Sequence, residues 1–184
     1  MKRRDLLRAG GLSLISLLGF PRQAFSMGGT LPPLDAPAPS FELPGVVPSP
    51  EGAQQTQLAL ADLRGQWVVL YFYPRDFTEG CTIEARGFQR DLADFHRAGA
   101  EVVGISADDP ESHQQFCGSE ALSYPLLSDE GGAVSKAYGS WIPPFSQRHT
   151  FLIDPQGSLR ATWLGVRPLG HSQEVLTRLK ELQA

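Results

Sequence analysis

The 184-residue chain has only two cysteines, Cys81 and Cys117. Two cysteines are too few for a disulfide scaffold, and their separation fits no zinc-binding pattern. Basic residues are also scarce outside the first 26 residues, which hold five of the 16 lysines and arginines but only one acid, Asp5. The rest of the chain is therefore more acidic than the overall net charge of −4 indicates. This argues against nucleic-acid binding, which requires a basic surface.

Histidine is equally scarce, and its positions indicate no metal site. The four histidines are His96, His113, His149 and His171. They show neither the close pairing nor the fixed spacing that metal ligands require. We therefore predict no metal.

Long hydrophobic runs are missing too. The most apolar stretch near the start, residues 9–20, has about a dozen residues, whereas a membrane-spanning helix needs around 20. It follows the charged start Lys2-Arg3-Arg4 and precedes Ala24-Phe25-Ser26, which is typical of a secretory cleavage site. The paired arginines resemble the twin-arginine export motif. We expect residues 1–26 to be an export signal that is cleaved near Ser26 and delivers the protein to a periplasm or thylakoid lumen; a disordered or membrane-tethered tail is the alternative.

The remaining chain divides into a short arm and one domain. Residues 27–38 are rich in glycine and proline and predict an extended arm, while residues 39–184 are long enough for a single core. Hydrophobic periodicity in this domain alternates between strands and helices. Predicted strands are 67–73, 101–106, 125–129, 149–154 and 158–163, with a short edge strand at 39–44. Residues 44–57 are predicted to be loop-like or to form a weak hairpin. A helical turn is predicted at 58–65, and helices are predicted after Cys81 and at 110–119, 133–138 and 172–183. This predicts an α/β fold with a central mixed, mainly parallel sheet flanked by helices.

The most informative stretch surrounds Cys81. The apolar run of residues 67–73 ends at Pro74, a short polar loop follows, and Cys81 then lies in the first turn of a helix. Unpaired N–H groups and the helix dipole favour a thiolate at that position. Since the thiolate is the nucleophilic form of cysteine, we predict that Cys81 is reactive.

The spacing Pro74-x-x-x-Thr78-x-x-Cys81 resembles the active-site signature of peroxiredoxins. The longer run of residues 72–85 is similar to the bacterioferritin-comigratory protein, or peroxiredoxin Q, branch, and the similarity covers roughly residues 36–183, including 124–129, 137–139 and 148–154. The resemblance implies a thioredoxin-like fold and a thiol-dependent peroxidase that reduces hydrogen peroxide and organic hydroperoxides. It also implies a thioredoxin-like reductant, a monomer, and no haem, flavin or other cofactor.

The resemblance assigns roles to individual residues. Cys81 attacks the peroxide and becomes a sulfenic acid. Thr78 orients the peroxide through its hydroxyl group, and Pro74 shields the site without adding a donor. Arg148, matched to the family's arginine before the corresponding strand, supplies positive charge. Glu84 holds that arginine in place; a plain surface carboxylate is the alternative for Glu84, as an ordinary surface arginine is for Arg148.

One departure from the family pattern concerns the second thiol. Many members carry a second cysteine five residues after the first, where this chain has Arg86. The resemblance then implies that Cys117 resolves the sulfenic acid, as cysteines of the next helix do in some members, with local unwinding when the bond forms. An inert Cys117, external resolution of a single-cysteine peroxidase, a permanent structural disulfide and a redox sensor or holdase remain open. His113, four residues earlier, either raises the reactivity of Cys117 or is a helix-surface histidine, which we favour.

Overall fold

A computed structural model describes residues 24–49 and 52–184. The strands are β1 (Phe25–Ser26), β2 (Gly29–Thr30), β3 (Glu42–Val47), β4 (Gln54–Ala59), β5 (Trp67–Phe72), β6 (Ala100–Ser106), β7 (Leu126–Ser128), β8 (Trp141–Ile142), β9 (Phe145–Ser146), β10 (His149–Ile153) and β11 (Leu159–Trp163). The helices are α1 (Glu79–Arg97), α2 (Pro110–Glu120), α3 (Ala133–Ala137) and α4 (His171–Gln183), and a 3₁₀ turn covers Leu60–Leu63. The predicted export signal lies mostly in residues 1–23, outside the described residues.

Seven strands form one mixed sheet in the order β11-β10-β5-β6-β7-β3-β4. The prediction of a mixed sheet flanked by helices is confirmed, but the expectation that it is mainly parallel is wrong. Only β5–β6 and β6–β7 are parallel pairs, and the other four neighbouring pairs are antiparallel. The difference arises because a hairpin extends the sheet at both edges, β10–β11 at one and β3–β4 at the other.

Strand β3 was expected at an edge of the sheet and lies instead between β7 and β4. Its residue Gly45 pairs with Leu127 on one side and Thr56 on the other. A Cβ at Gly45 would lie 2.3 Å from the backbone oxygen of Leu126, so only glycine permits this close approach. The following segment, expected to be a loop or weak hairpin, is a six-residue strand that covers the true edge.

The core forms on both faces of the central strands. Successive side chains of a strand point to opposite faces, so Val69 and Tyr71 of β5 pack under α1, α2 and α4. Leu70 and Phe72 of the same strand pack with the 3₁₀ turn and α3 on the other face. Both faces of β5 are therefore covered, as its continuous apolar sequence predicts. No helix among the described residues is long and apolar enough to cross a membrane.

Sheet topology brings two distant segments together at one end of β5. The loop that carries the Pro74–Cys81 motif follows the carboxyl end of this strand. Strand β10 runs antiparallel to β5, with His149 paired to Phe72, so its first residue lies at the same end. Arg148, directly before β10, is thereby placed beside the start of α1.

Candidate active site

Local backbone geometry presents Cys81 in the first turn of α1. Thr78 is the residue before the helix, and Cys81 is the third residue within it. Phe77 adopts a left-handed backbone conformation, with φ of 59°. Such a conformation is unfavourable for a bulky side chain and is held only where the surrounding structure fixes it. The strained residue thus marks the tight turn between β5 and α1.

Arg148 bridges Cys81 and Glu84, which face it from successive turns of α1. Its Nη2 atom donates to Cys81 Sγ at 3.3 Å, and Nη1 donates to Glu84 Oε2 at 2.5 Å. Cys81 and Glu84 are each about 1% exposed. Gly80 makes room for this arrangement, because a Cβ there would lie 3.1 Å from Nη2 of Arg148. The surface interpretations of Arg148 and Glu84 are therefore wrong.

Electrostatic interactions keep the guanidinium of Arg148 charged although its side chain is largely buried. Burial alone would lower the pKa of Arg148, but the neighbouring Glu84 and Cys81 outweigh that penalty and raise it. Burial raises the pKa of Glu84 to about 7, against the opposing effect of Arg148. A sulfur atom within reach of a fixed positive charge is stabilised as a thiolate. The arrangement therefore suits nucleophilic attack by sulfur.

Thr78 and Pro74 both lie in the segment between β5 and α1 that leads to Cys81. The Thr78 hydroxyl donates to the backbone oxygen of Arg75 at 3.0 Å and is otherwise exposed. Its donor is thus occupied, while its oxygen remains able to accept a hydrogen bond from an incoming O–H group. Pro74 is half-buried just after β5 and brings no N–H group to the site.

Cys117 lies in α2, as predicted, and its side chain is buried in the same core cluster as Cys81. Both thiols are free rather than joined in a disulfide, so a permanent structural bridge is not present. Burial, assisted by the charge of Asp76, raises the pKa of Cys117 to about 12. In this conformation Cys117 is a poor nucleophile, in contrast to Cys81 beside its arginine.

The sequence interpretation of His113 as a surface residue is wrong, and it missed the partner of this histidine. His113 is fully buried, and its Nδ1 lies 2.9 Å from Oδ2 of Asp76 in the motif loop. The signal was present in the helix period, since His113, Phe116 and Cys117 share one face at positions i, i+3 and i+4. Asp76 gave no comparable signal, because an acid in a polar loop is ordinarily solvated.

Metal-ligating side chains do not cluster in the part of the chain that the structure describes. No group of three or more histidines, cysteines and acids is arranged to hold an ion. The buried histidines are instead engaged singly: His149 Nδ1 accepts from Gly165 N at 3.2 Å, and His171 Nε2 lies 2.8 Å from the Thr150 hydroxyl.

Comparison with known proteins gives consistent matches. The model of the AhpC/TSA family matches residues 34–162. Peroxiredoxin Bcp of Xanthomonas campestris is 38% identical over 156 residues, which cover 80% of this chain and 94% of that protein. The structure of Xanthomonas campestris peroxiredoxin Q has a TM-score of 0.69 at 34% identity, covering 77% of this chain and 90% of the other. A structure described for alkyl peroxide reduction by the bacterioferritin comigratory protein of the same organism has a TM-score of 0.69 at 33% identity, covering 78% and 92%.

Proposed function

This chain belongs to the AhpC/TSA family, in its peroxiredoxin Bcp/Q branch, and we propose that its peroxidase chemistry takes place at Cys81 with Cys117 as the resolving thiol. The chain is a thiol-dependent peroxidase with the α/β fold of the peroxiredoxins. The observation that carries the assignment to Cys81 is the 3.3 Å contact between its sulfur and Nη2 of Arg148.

The first step is attack of the Cys81 thiolate on one peroxide oxygen. The S–O bond forms as the O–O bond breaks, giving a sulfenic acid and an alkoxide or hydroxide that takes up a proton. Arg148 stabilises the charge that develops on the leaving oxygen. The hydroxyl oxygen of Thr78 accepts a hydrogen bond from the peroxide O–H group, and Glu84 holds the guanidinium of Arg148 against α1. Both hydrogen peroxide and organic hydroperoxides are substrates in this proposal.

The second step joins the two cysteines. Cys117 attacks the sulfenic acid of Cys81, forms an intramolecular disulfide and releases water. Both cysteines are helical in the reduced protein, so local unwinding of α1, α2 or both accompanies the reaction. A thioredoxin-like dithiol protein then reduces the disulfide.

Substitution of the attacking sulfur tests the assignment. Cys81→Ser should abolish peroxide consumption in the presence of a dithiol reductant, because serine is not ionised at neutral pH. The matched variant Cys117→Ser should retain the first step and consume one equivalent of peroxide. Peroxide consumption by the Cys81→Ser protein would refute the assignment.

A single-cysteine peroxidase is the second candidate, and the pKa of about 12 for Cys117 is the observation that favours it. In that case an external thiol resolves the sulfenic acid and Cys117 only fills the core. Mass measurement after oxidation separates the two, since an internal disulfide loses two hydrogens whereas a persisting sulfenic acid gains one oxygen. A redox sensor or holdase would instead react once and fail to turn over with a reductant.

We also propose that the protein is exported as a twin-arginine substrate, is cleaved near Ser26 and acts as a monomer in a periplasm or thylakoid lumen. The sequence of residues 1–26 supports this proposal. Amino-terminal sequencing of the native protein tests it. A native chain that begins at Met1 would contradict cleavage, and retention of export after replacing Arg3 and Arg4 by lysine would contradict the twin-arginine route.

A further inference from the structure

A buried polar cluster lies between the motif loop and α2. The carboxylate of Asp76 receives three hydrogen bonds: from the Tyr73 hydroxyl at 2.8 Å, from the Ser112 hydroxyl at 2.8 Å and from Nδ1 of His113 at 2.9 Å. Asp76 is 3% exposed and His113 is 0% exposed. The cluster thus joins the loop that precedes Cys81 to the helix that carries Cys117.

These contacts orient the ring of His113. A carboxylate oxygen accepts hydrogen bonds, so Nδ1 of His113 is the donor in its contact with Asp76. Burial and the nearby Asp76 raise the pKa of Tyr73 well above its ordinary value, so its hydroxyl stays protonated and donates. Nε2 of His113 has no hydrogen-bond partner among the described residues.

Burying a ring nitrogen without a hydrogen-bond partner costs free energy, so its presence calls for an explanation such as a role in the reaction. The resolving reaction offers such a role. The thiol of Cys117 must lose its proton before it attacks, and burial holds that proton firmly. His113 precedes Cys117 by four residues in α2, so both side chains lie on the same face of the helix.

We propose that Nε2 of His113 is the general base for the resolving thiol Cys117, with Asp76 as the positioning residue that sets its tautomer. This inference rests on the proposed role of Cys117. The S–H bond of Cys117 breaks, the S–S bond to Cys81 forms, and the S–OH bond of Cys81 breaks. The proton passes from Cys117 through His113 to the departing hydroxide, which leaves as water; the peroxide has already supplied the oxidising equivalents.

No hydrogen bond joins Nε2 to Cys117 in the reduced protein, so the transfer belongs to the conformation in which α2 loosens. A purely structural role for the Asp76–His113 pair predicts the opposite kinetic effect. If the pair only held α2 against the motif loop, its removal would make unwinding easier and disulfide formation faster. A general base predicts that its removal makes disulfide formation slower.

The test is a single-turnover experiment on the whole protein with one equivalent of hydrogen peroxide. Oxidation of Cys81 and formation of the Cys81–Cys117 disulfide are followed separately by quenching and mass spectrometry. For His113→Gln we expect the disulfide step to slow by about 100-fold, within the usual range for general-base catalysis, with Cys81 oxidation unchanged. More Cys81 should then reach the sulfinic state in excess peroxide.

Two further variants complete the design. Asp76→Asn places an amide donor beside Nδ1, reverses the tautomer and should slow the disulfide step by about tenfold or more; it carries the test if the glutamine variant does not fold. Asp109→Ala removes the side chain that caps α2 through Ser112 N at 2.8 Å, which loosens the helix without touching the imidazole. It should leave the step unchanged or faster.

An unchanged or faster disulfide step in both His113→Gln and Asp76→Asn would overturn the inference. That result differs from failure of the proposed function itself. If the unmodified protein forms no Cys81–Cys117 disulfide, the proposed resolving role of Cys117 is refuted, and the proposed role of His113 is refuted with it. If the disulfide forms normally and neither variant slows it, only the role of His113 is lost.

Discussion

At the level of single residues, Arg148 makes two contacts that lysine could not make together. Its guanidinium reaches Cys81 and Glu84 through different nitrogens. A lysine ammonium presents a single charged atom on a flexible stem. The Arg148 side chain therefore places positive charge beside the sulfur of Cys81 and connects the start of β10 to α1.

Substitution of this arginine gives the first prediction of the account. Arg148→Met should slow Cys81 oxidation by about 100-fold, comparable to the loss of one preorganised donor to a developing negative charge, and Arg148→Lys should recover only part of that loss. Stopped-flow measurement of peroxide consumption in a single turnover checks this. The control Arg75→Met removes an exposed arginine of the motif loop, which lies over the Phe145 ring at 5.4 Å. Equal losses in both variants would contradict a specific role for Arg148.

Glu84 gives a prediction about pH. Its pKa of about 7 lies above the ordinary value because the carboxyl group is buried. As the pH falls through 7 the carboxylate gains a proton, its ion pair with Arg148 is lost, and the guanidinium is held less firmly. The rate of Cys81 oxidation should therefore fall as the pH decreases from about 8 to about 6.

In Glu84→Gln this step in the pH–rate profile should be absent. Glu120→Gln is the matched control, because Glu120 also pairs with an arginine, Arg86, at 2.5 Å, but on the outer side of α2. The rates of Cys81 oxidation in the unmodified protein and in both variants, measured between pH 5 and 9, test this prediction. If the glutamine variant at position 84 keeps the same step near pH 7, the assignment to Glu84 is wrong.

Much of the site was predictable at this scale because chemistry and spacing coincide in the motif around Cys81. The place of Arg148 was inferred from a family resemblance, and only the antiparallel pairing of β10 with β5 explains its proximity physically. Asp76 could not be predicted, since its burial depends on α2 covering the motif loop. A sequence shows that an acid is present but not which helix will pack over it.

At the level of elements, α2 is the segment that the proposed cycle requires to open, because it carries Cys117. It begins at Pro110 after the cap Asp109 and ends near Ala121, whose φ of 51° is left-handed. Within the helix, Gly118 follows Cys117 directly. Glycine destabilises a helix interior, so this position weakens the turn that carries Cys117.

Substitution of Gly118 by alanine gives a prediction about the unwinding of α2. A Cβ at Gly118 would meet no atom within 4 Å, so Gly118→Ala introduces no clash. It should stabilise the helix by about 1 kcal/mol and slow disulfide formation about fivefold if the turn at Cys117 unwinds first. Gly131→Ala, in a loop where a Cβ also meets no atom within 4 Å, is the control for general stabilisation. A thermally stabilised Gly118→Ala protein with an unchanged disulfide step would show that this turn does not open.

The elements themselves were largely predictable from hydrophobic periodicity, with β5, β6, α1 and α4 close to their expected bounds. The hairpin of β3 and β4 was predicted only as a weak alternative to a loop, because Pro44 and Gly45 within β3 indicate a turn rather than a strand. Tertiary pairing with β7 overrides that local preference. The sheet is consequently more antiparallel than its strand–helix alternation indicated.

At the level of the whole molecule, the proposed cycle joins two thiols that lie on different helices, Cys81 in α1 and Cys117 in α2. Cys81 has a charged arginine partner at the end of β5, whereas Cys117 is held in α2 with a pKa of about 12. In the proposed cycle this difference favours attack of Cys81 on peroxide and suppresses premature reaction of Cys117. The same proposal requires part of the packing between α1 and α2 to be lost when the Cys81–Cys117 disulfide forms.

The most direct test of this account is the mass of the intact protein after one equivalent of hydrogen peroxide, followed by mapping of its proteolytic peptides. We predict a loss of two hydrogens and a single cross-linked pair of peptides that contains Cys81 and Cys117. The same treatment of Cys117→Ser should give a gain of one oxygen on Cys81. A lasting gain of one oxygen in the unmodified protein, with Cys117 still a free thiol, would contradict internal resolution.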